Sequence, residues 1–116
     1  MGFTRQYIKD RRFVLTMVRD GANDELLKEH VMILTKETED MYPFIELADA
    51  SELHDKSGFS EFGGSVSGAS EISRKPHKKD KLAILVSSDE VHKLALSYGS
   101  TSIYFRSDVK IFRDYL

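Results

Sequence analysis

Apolar and polar residues alternate with two different periods along this chain of 116 residues. Residues 3–9 and 13–18 contain β-branched and aromatic side chains, which predicts two strands. Asp10 and Arg11 lie between them and predict a turn, so we expect the two strands to form an antiparallel hairpin. Gly21 then ends the second strand.

A helical period follows the hairpin. Apolar residues from Leu27 to Leu34 recur at the spacing of one helix face. Asn23 or Asp24 provides an N-cap, because its side chain can accept a hydrogen bond from a free N–H group of the first turn. The pattern predicts a helix that runs to about Thr38.

The middle of the chain combines short apolar runs with a glycine-rich segment. Residues 44–48 predict a strand, and residues 82–86, apolar throughout, are typical of a strand that is buried on both faces. Phe59 and Phe62 have the i, i+3 spacing of a helix, which we expect to begin at Ser57. The glycines after Phe62 predict that this helix is short.

The last third of the chain predicts one more helix and one more strand. Ser87 or Ser88 caps the helix, and Gly99 is expected to end it. Residues 109–112 predict the final strand. The predicted order is therefore β-β-α-β-α-β-α-β, an α/β fold with a mixed sheet, a parallel core and an N-terminal antiparallel hairpin, in one domain over residues 1–116.

Composition narrows the classes of function. The net charge of −2 gives no basic field that would attract nucleic acid. The absence of cysteine excludes disulfides and thiolate metal sites, and no two histidines have a metal-ligand spacing, so His30 is expected to be structural. The longest apolar run has five residues, far fewer than the about 20 that a membrane span needs. We expect a cytoplasmic protein with no metal, no cofactor and no membrane span.

Three segments resemble a known family. Residues 55–59 are similar to the Asp-Ser-Ser-Gly-Leu signature of anti-sigma-factor antagonists, and Asp20 with Gly21 precedes an acidic-capped helix as in that family. Residues 82–89, followed by residues 109–114, resemble the closing half of its SpoIIAA-like group. The chain therefore resembles the STAS domains, in their SpoIIAA-like bacterial branch. The resemblance implies a SpoIIAA-like fold.

The resemblance also implies a function. Antagonist STAS domains are non-enzymatic regulatory or protein-interaction modules, and their partner is a kinase or an anti-sigma factor. They are switched by phosphorylation of the serine before the glycine, which corresponds by position to Ser57. The implied partner-binding loop comprises Asp49, Asp55, Lys56, Ser57 and Gly58. Lys56 stands where the family signature has its first serine.

Plainer interpretations of the same residues stay open. Ser57 has the commoner role of a helix N-cap, which contributes about 1 kcal/mol. Asp49, Glu52 and Asp55 lack the spacing of a calcium loop and are interpreted as a solvated acidic loop. The basic tract at residues 74–81, which its proline marks as a loop, is either solvated or binds an acidic partner.

The aromatic residues near the C-terminus have two interpretations. An exposed patch of them would form a partner surface, such as the seam of a homodimer, whereas buried residues would pack in the core. These residues are Tyr98, Tyr104, Phe105 and Tyr115.

A second functional hypothesis belongs to another class. SpoIIAA-like folds also resemble the lipid-carrier domains of the CRAL-TRIO type, which implies a small apolar ligand. A pocket between a helix and the sheet, lined by Phe59, Phe62 and Leu94, would support this hypothesis, and a tightly filled core would count against it. A hydrolase built on a carboxylate at a strand end is a third hypothesis, which no motif favours.

Overall fold

The computed structural model describes residues 2–41, 43–54, 58–59, 77–102 and 106–113. The strands within these ranges are β1 (Phe3–Ile8), β2 (Phe13–Val18), β3 (Ile45–Ala50), β4 (His77–Val86) and β5 (Arg106–Arg113). The helices are α1 (Asp24–Glu37) and α2 (Asp89–Ser102). The five strands form one sheet in the order β1-β2-β3-β4-β5, so the described part of the chain has a mixed α/β fold.

The predicted N-terminal hairpin and parallel core are confirmed. β1 and β2 pair antiparallel, with Phe3 opposite Val18 and Ile8 opposite Phe13, whereas all other neighbouring strands pair in parallel. A short 3-10 turn joins the two hairpin strands. Arg12 follows this turn in the left-handed conformation, with φ 51° and ψ 47°, and so directs the chain back along β1.

One face of the sheet packs against both helices. Val14 and Val18 are buried on this face of β2, because alternate residues of a strand point to the same side. Leu27 from α1 and both Val91 and Ala95 from α2 join Val18 in one apolar cluster. The alternation of β2 and the helical spacing of α1 and α2 therefore place apolar side chains on the same face of the sheet, where they pack together.

α1 begins at its predicted N-cap and ends within one residue of its predicted end. Asn23 Oδ1 accepts a hydrogen bond from the Leu26 N–H group at 2.8 Å, which confirms the N-cap. The helix ends at Glu37, and the N–H group of the C-cap residue Thr38 donates to the Leu34 carbonyl at 3.0 Å.

The structure corrects two boundaries. The prediction of a loop at residues 74–81 is wrong for residues 77–81, which belong to β4 and pair with β5. Backbone pairing with a neighbouring strand overrides the weak strand preference of lysine. The prediction that Gly99 ends the last helix is also wrong, because α2 continues to Ser102. A glycine in a helix interior costs only about 1 kcal/mol relative to alanine, which the rest of a helix can offset.

Of the helix predicted from Ser57, the structure describes only Gly58 and Phe59, and the rest lies outside the described residues. No helix in the described ranges is long and apolar enough to cross a membrane.

Candidate functional site

Four polar side chains meet beneath α1. Thr16 Oγ1 donates a hydrogen bond to Glu46 Oε2 at 2.5 Å, and His30 Nε2 lies 3.0 Å from the same oxygen. Arg5 Nη1 lies 3.0 Å from His30 Nδ1. The exposed fractions are 0% for Thr16, 4% for His30 and 1% for Glu46, so these three residues have almost no contact with solvent. We call Arg5, Thr16, His30 and Glu46 the polar cluster.

The hydrogen-bond pattern of the polar cluster fixes the tautomer of its histidine. Arg5 can only donate hydrogen bonds, so His30 Nδ1 accepts and the proton of the neutral ring is on Nε2. His30 Nε2 therefore donates to Glu46. Glu46 Oε2 accepts hydrogen bonds from both His30 and Thr16, and the guanidinium of Arg5 contacts the other ring nitrogen of His30.

Strand register explains how the cluster forms. Arg5 lies opposite Thr16 in the hairpin, and Thr16 lies opposite Ala48 in the next pair. Glu46 is two residues before Ala48 and so points to the same side of β3. His30 lies among the buried residues of α1, and its ring stacks on Phe3 with centroids 5.0 Å apart.

Tyr7 extends the cluster along β1. Burial raises the pKa of the Tyr7 phenol above its ordinary value of 10.0, and the nearby Arg5 guanidinium partly opposes this rise. The charges of Glu37 and Glu46 add to it. The environment of Tyr7 therefore favours the neutral phenol.

An apolar cavity of about 70 Å³ adjoins the polar cluster, between the sheet and both helices. Thr16, His30 and Glu46 are polar residues in its wall, and their polar atoms bond to one another or to Arg5. The cavity therefore presents mainly carbon. Its remaining lining residues are Phe3, Val18, Leu27, Ala48, Ala50, Leu53, Phe59, Leu82, Ile84, Val91, Leu94 and Ala95.

The pocket residues predicted from the sequence fall in two groups. Phe59 and Leu94 line the cavity, as the carrier hypothesis predicted. Phe62 lies outside the described residues.

Most of the predicted partner-binding loop, Asp55, Lys56 and Ser57, lies outside the described residues. Asp49 is half-buried, and its Oδ1 accepts hydrogen bonds from the Ser51 N–H group at 3.0 Å and from Ser51 Oγ at 2.6 Å. Asp49 therefore closes a local turn after β3.

Gly58 contacts the entrance of α1. Its carbonyl accepts a hydrogen bond from the Asp24 N–H group at 3.1 Å. A Cβ atom at Gly58 would collide with the Ala22 carbonyl oxygen and crowd Asn23. The backbone of Ala22 and Asn23, in this same chain, therefore lies so close to Gly58 that only glycine fits there.

Two exposed polar contacts lie at the same end of the sheet. Arg19 Nε lies 3.0 Å from Glu52 Oε2, and His54 Nδ1 lies 3.9 Å from Asp20 Oδ1. In the described part of the chain, no three histidine or acidic side chains converge on a point where they could hold a metal ion. The side chains of the C-terminal aromatic residues, Tyr98, Tyr104, Phe105 and Tyr115, lie outside the described residues.

Sequence reasoning missed the polar cluster. One signal was present, because His30 and Glu46 occupy positions where the helix and strand patterns place a buried side chain. Two polar residues at core positions of successive elements indicate that they satisfy each other.

Comparisons with protein-family models, with curated proteins and with solved structures found no match to this chain. Function is therefore inferred from the contacts of its own residues.

Proposed function

We propose that this protein is a non-enzymatic binding domain whose cavity takes a small apolar molecule. The cavity between the sheet and the two helices carries this proposal. Residues from four strands, both helices and the segments after β3 line it, among them Ala48, Leu53, Phe59 and Leu94. Ligand sites are typically concave and lined mainly by apolar side chains, as this cavity is.

The energetics favour an occupant. The space of about 70 Å³ leaves its apolar lining residues without packing partners on that side. A ligand that fills this space recovers the lost contacts and removes its own apolar surface from water, at about 25 cal/mol per Å². Binding of an apolar molecule is therefore favoured both by the restored contacts of the protein and by the removal of the ligand's own apolar surface from water.

The polar cluster supports a binding role over a catalytic one. A general acid or base needs a polar atom within hydrogen-bond reach of the reacting group. Both ring nitrogens of His30 are engaged, and the Glu46 oxygen that faces His30 also accepts from Thr16. The polar atoms of the cluster thus satisfy one another beside the cavity, and we propose no reaction for them.

The proposal extends to the fold family and the setting. A SpoIIAA-like fold, with the likeness to CRAL-TRIO carriers that the sequence suggests, is consistent with the antiparallel hairpin and the parallel strands that follow it. We propose a bacterial, cytoplasmic protein on the same basis.

Two variants test the binding proposal. Ala48→Ile fills the cavity, because Ala48 lines it. Ala83→Ile makes the same change on the opposite side of the sheet, since Ala83 pairs with Leu47 rather than with Ala48. Benzene should raise the melting temperature of the wild type and of Ala83→Ile in proportion to the logarithm of its concentration above Kd. Ala48→Ile should not respond, and an equal response in all three proteins would contradict the proposal.

A regulatory role is the second candidate. The observation that favours it is the hydrogen bond from Asp24 to Gly58, which ties the residue after Ser57 to the start of α1. Phosphorylation of Ser57 would therefore modify the neighbour of a residue that is hydrogen-bonded to the start of α1. On this proposal the loop of Asp49, Asp55, Lys56, Ser57 and Gly58 binds a protein partner, a kinase or an anti-sigma-like regulator, and the domain can form a homodimer.

Intact-mass measurement tests the switch. Protein purified from its own host should carry a phosphorylated fraction that is absent from Ser57→Ala. An equal phosphorylated fraction in the variant would eliminate Ser57 as the acceptor, and a wild type without phosphate after growth in exponential and stationary phase would eliminate the switch.

A further inference from the structure

The sheet has a second face, opposite the one that packs against the helices. Val14, Glu46 and Ile84 point to the helices and are buried. Their neighbours along the strands point the other way and are half-buried or exposed, even in the middle of the sheet. We call this side the second face. Its central apolar residues are Phe13, Leu15, Ile45, Leu47, Ala83 and Leu85.

The strand register makes these apolar side chains contiguous. Leu47 on β3 lies opposite Leu15 on β2 and opposite Ala83 on β4. Phe13 and Ile45 form the next pair on the same face, two residues earlier in each strand. Ile45 is 46% exposed, although β3 is the central strand of the sheet. The second face therefore presents a continuous apolar surface across β2, β3 and β4.

A parallel sheet with an uncovered apolar face needs a partner of matching size. The strands from β2 to β5 run parallel, and parallel sheets occur almost only where both faces are covered. Five strands at a spacing of about 4.8 Å, with about 3.3 Å for each residue of a six-residue strand, give a face of about 24 by 20 Å. Two such faces in contact remove about 1,000 Å² from water, which is the area that a specific interface needs.

The charges of the second face are complementary to those of a second copy. Asp49 and Lys81 lie on neighbouring strands at opposite ends of this face, and Leu47 lies between them. A two-fold axis that crosses the strands beside Leu47 exchanges the two ends. With the strands of the two sheets about 30° apart, this axis places Leu47 against the partner's Leu47 and Asp49 of each copy near the partner's Lys81. Lys110, on the outer strand β5, lies at the rim.

We infer that a second copy of this chain covers the second face, in a two-fold homodimer whose sheets pack face to face. Apolar residues meet at the centre of this interface, and Asp49 and Lys81 pair on either side of it. The inference goes beyond the proposed binding function and does not depend on it, because the cavity lies on the helix side of the sheet.

Sedimentation velocity of the full chain between about 1 μM and about 1 mM provides the first test. The mass should rise from that of one chain to that of two, and the midpoint gives the Kd of the dimer. The mass of a single chain at every concentration would overturn the inference, whatever else covers the second face. Benzene binding by such a monomer would leave the proposed ligand function intact.

Leu47→Lys tests whether this face is the interface. It places two cations against each other at the two-fold axis and should raise the Kd of the dimer at least about tenfold. Met32→Lys introduces a cation at an apolar residue of α1 that is 44% exposed, on the other side of the molecule. This control should change the Kd by less than about twofold. A Kd that is unchanged in Leu47→Lys would overturn the assignment to the second face.

Two charge reversals test the two-fold arrangement and leave the apolar centre of the interface unchanged. Lys81→Glu and Asp49→Lys, each alone, should raise the Kd at least about threefold, because each brings like charges together across the interface. In an equimolar mixture of the two variants, both pairs of opposite charges form again, so the heterodimer should bind more tightly than either homodimer. A mixture that associates no more tightly than the separate variants would overturn the inferred arrangement.

Discussion

His30 Nε2 and Glu46 Oε2 lie 3.0 Å apart in a region that solvent does not reach. This contact lies between two separate apolar clusters. One contains Val18, Leu27 and Ile84, and the other contains Leu34 and Phe44. The buried polar contact thus divides the core, and the cavity lies in the cluster to which Val18 belongs.

The hydrogen bond from Thr16 to Glu46 should contribute measurably to stability. We expect Thr16→Val to lower the free energy of unfolding by about 1–3 kcal/mol, because a buried acceptor loses its hydrogen-bond donor while the shape is kept. Thr4→Val is the matched control, since Thr4 is exposed on β1, and it should change stability by less than about 0.5 kcal/mol. Urea denaturation of both variants measures the difference, and equal midpoints would contradict the role of this bond.

Tyr7 should titrate later than an ordinary tyrosine. Its folded pKa is raised above 10.0, mainly by burial. The native state therefore holds this proton more tightly than the unfolded state, and the resulting stability is present below pH 10 and is lost as the pH rises through the folded pKa. Absorbance at about 295 nm should show a late component that Tyr7→Phe lacks. If the component that Tyr7→Phe removes titrates at or below pH 10.0, the burial of this phenol is contradicted.

The stability that the ion pair between Asp89 and Arg113 contributes should decrease at acid pH. Arg113 Nη1 donates to Asp89 Oδ1 at 2.6 Å, and this hydrogen bond lowers the pKa of the Asp89 carboxyl below 3.8. A lowered folded pKa gives stability that is present above 3.8 and is lost as the pH falls through the folded value. The difference in urea midpoint between the wild type and Asp89→Asn should therefore shrink towards acid pH. Glu90→Gln is the control, and the same pH trend in it would contradict the assignment to Asp89.

Gly58 should tolerate no side chain. We expect Gly58→Ala to lower the free energy of unfolding by about 1–3 kcal/mol, since its Cβ would meet the Ala22 carbonyl and force the backbone to shift. Gly21→Asn is the comparison for backbone strain alone, because Gly21 has φ +96° and open space around it, so a side chain there costs strain without a collision. If Gly58→Ala is as stable as the wild type, the close packing of this residue on α1 is wrong.

Local signals predicted the hairpin and α1. The hairpin needed only the strand pattern of residues 13–18 and a turn, and α1 needed its Asn23 cap and an apolar face. The strand at residues 77–81 could not be predicted in the same way. Its basic residues favour a loop locally. It is a strand because it pairs with β5, more than 25 residues further along the chain, and because Lys81 also pairs with Ile45 of β3.

The site was predicted only in part for the same reason. Phe59 and Leu94 could be proposed as pocket residues because they are apolar at element ends and on a helix face. The polar cluster joins residues 25, 30 and 16 positions apart in the chain: Arg5 with His30, Thr16 with Glu46, and His30 with Glu46. No local pattern encodes contacts at such separations.

The central claim is that the interior cavity binds an apolar molecule, and nuclear Overhauser effects between bound benzene and the protein test it most directly. We predict contacts from the benzene protons to the methyl groups of Leu27, Ile84 and Leu94, which line the cavity from α1, β4 and α2. These contacts should disappear in Ala48→Ile and persist in Ala83→Ile. The absence of any such contact in the wild type at saturating benzene, or contacts confined to exposed residues such as Leu96 and Phe112, would contradict the claim.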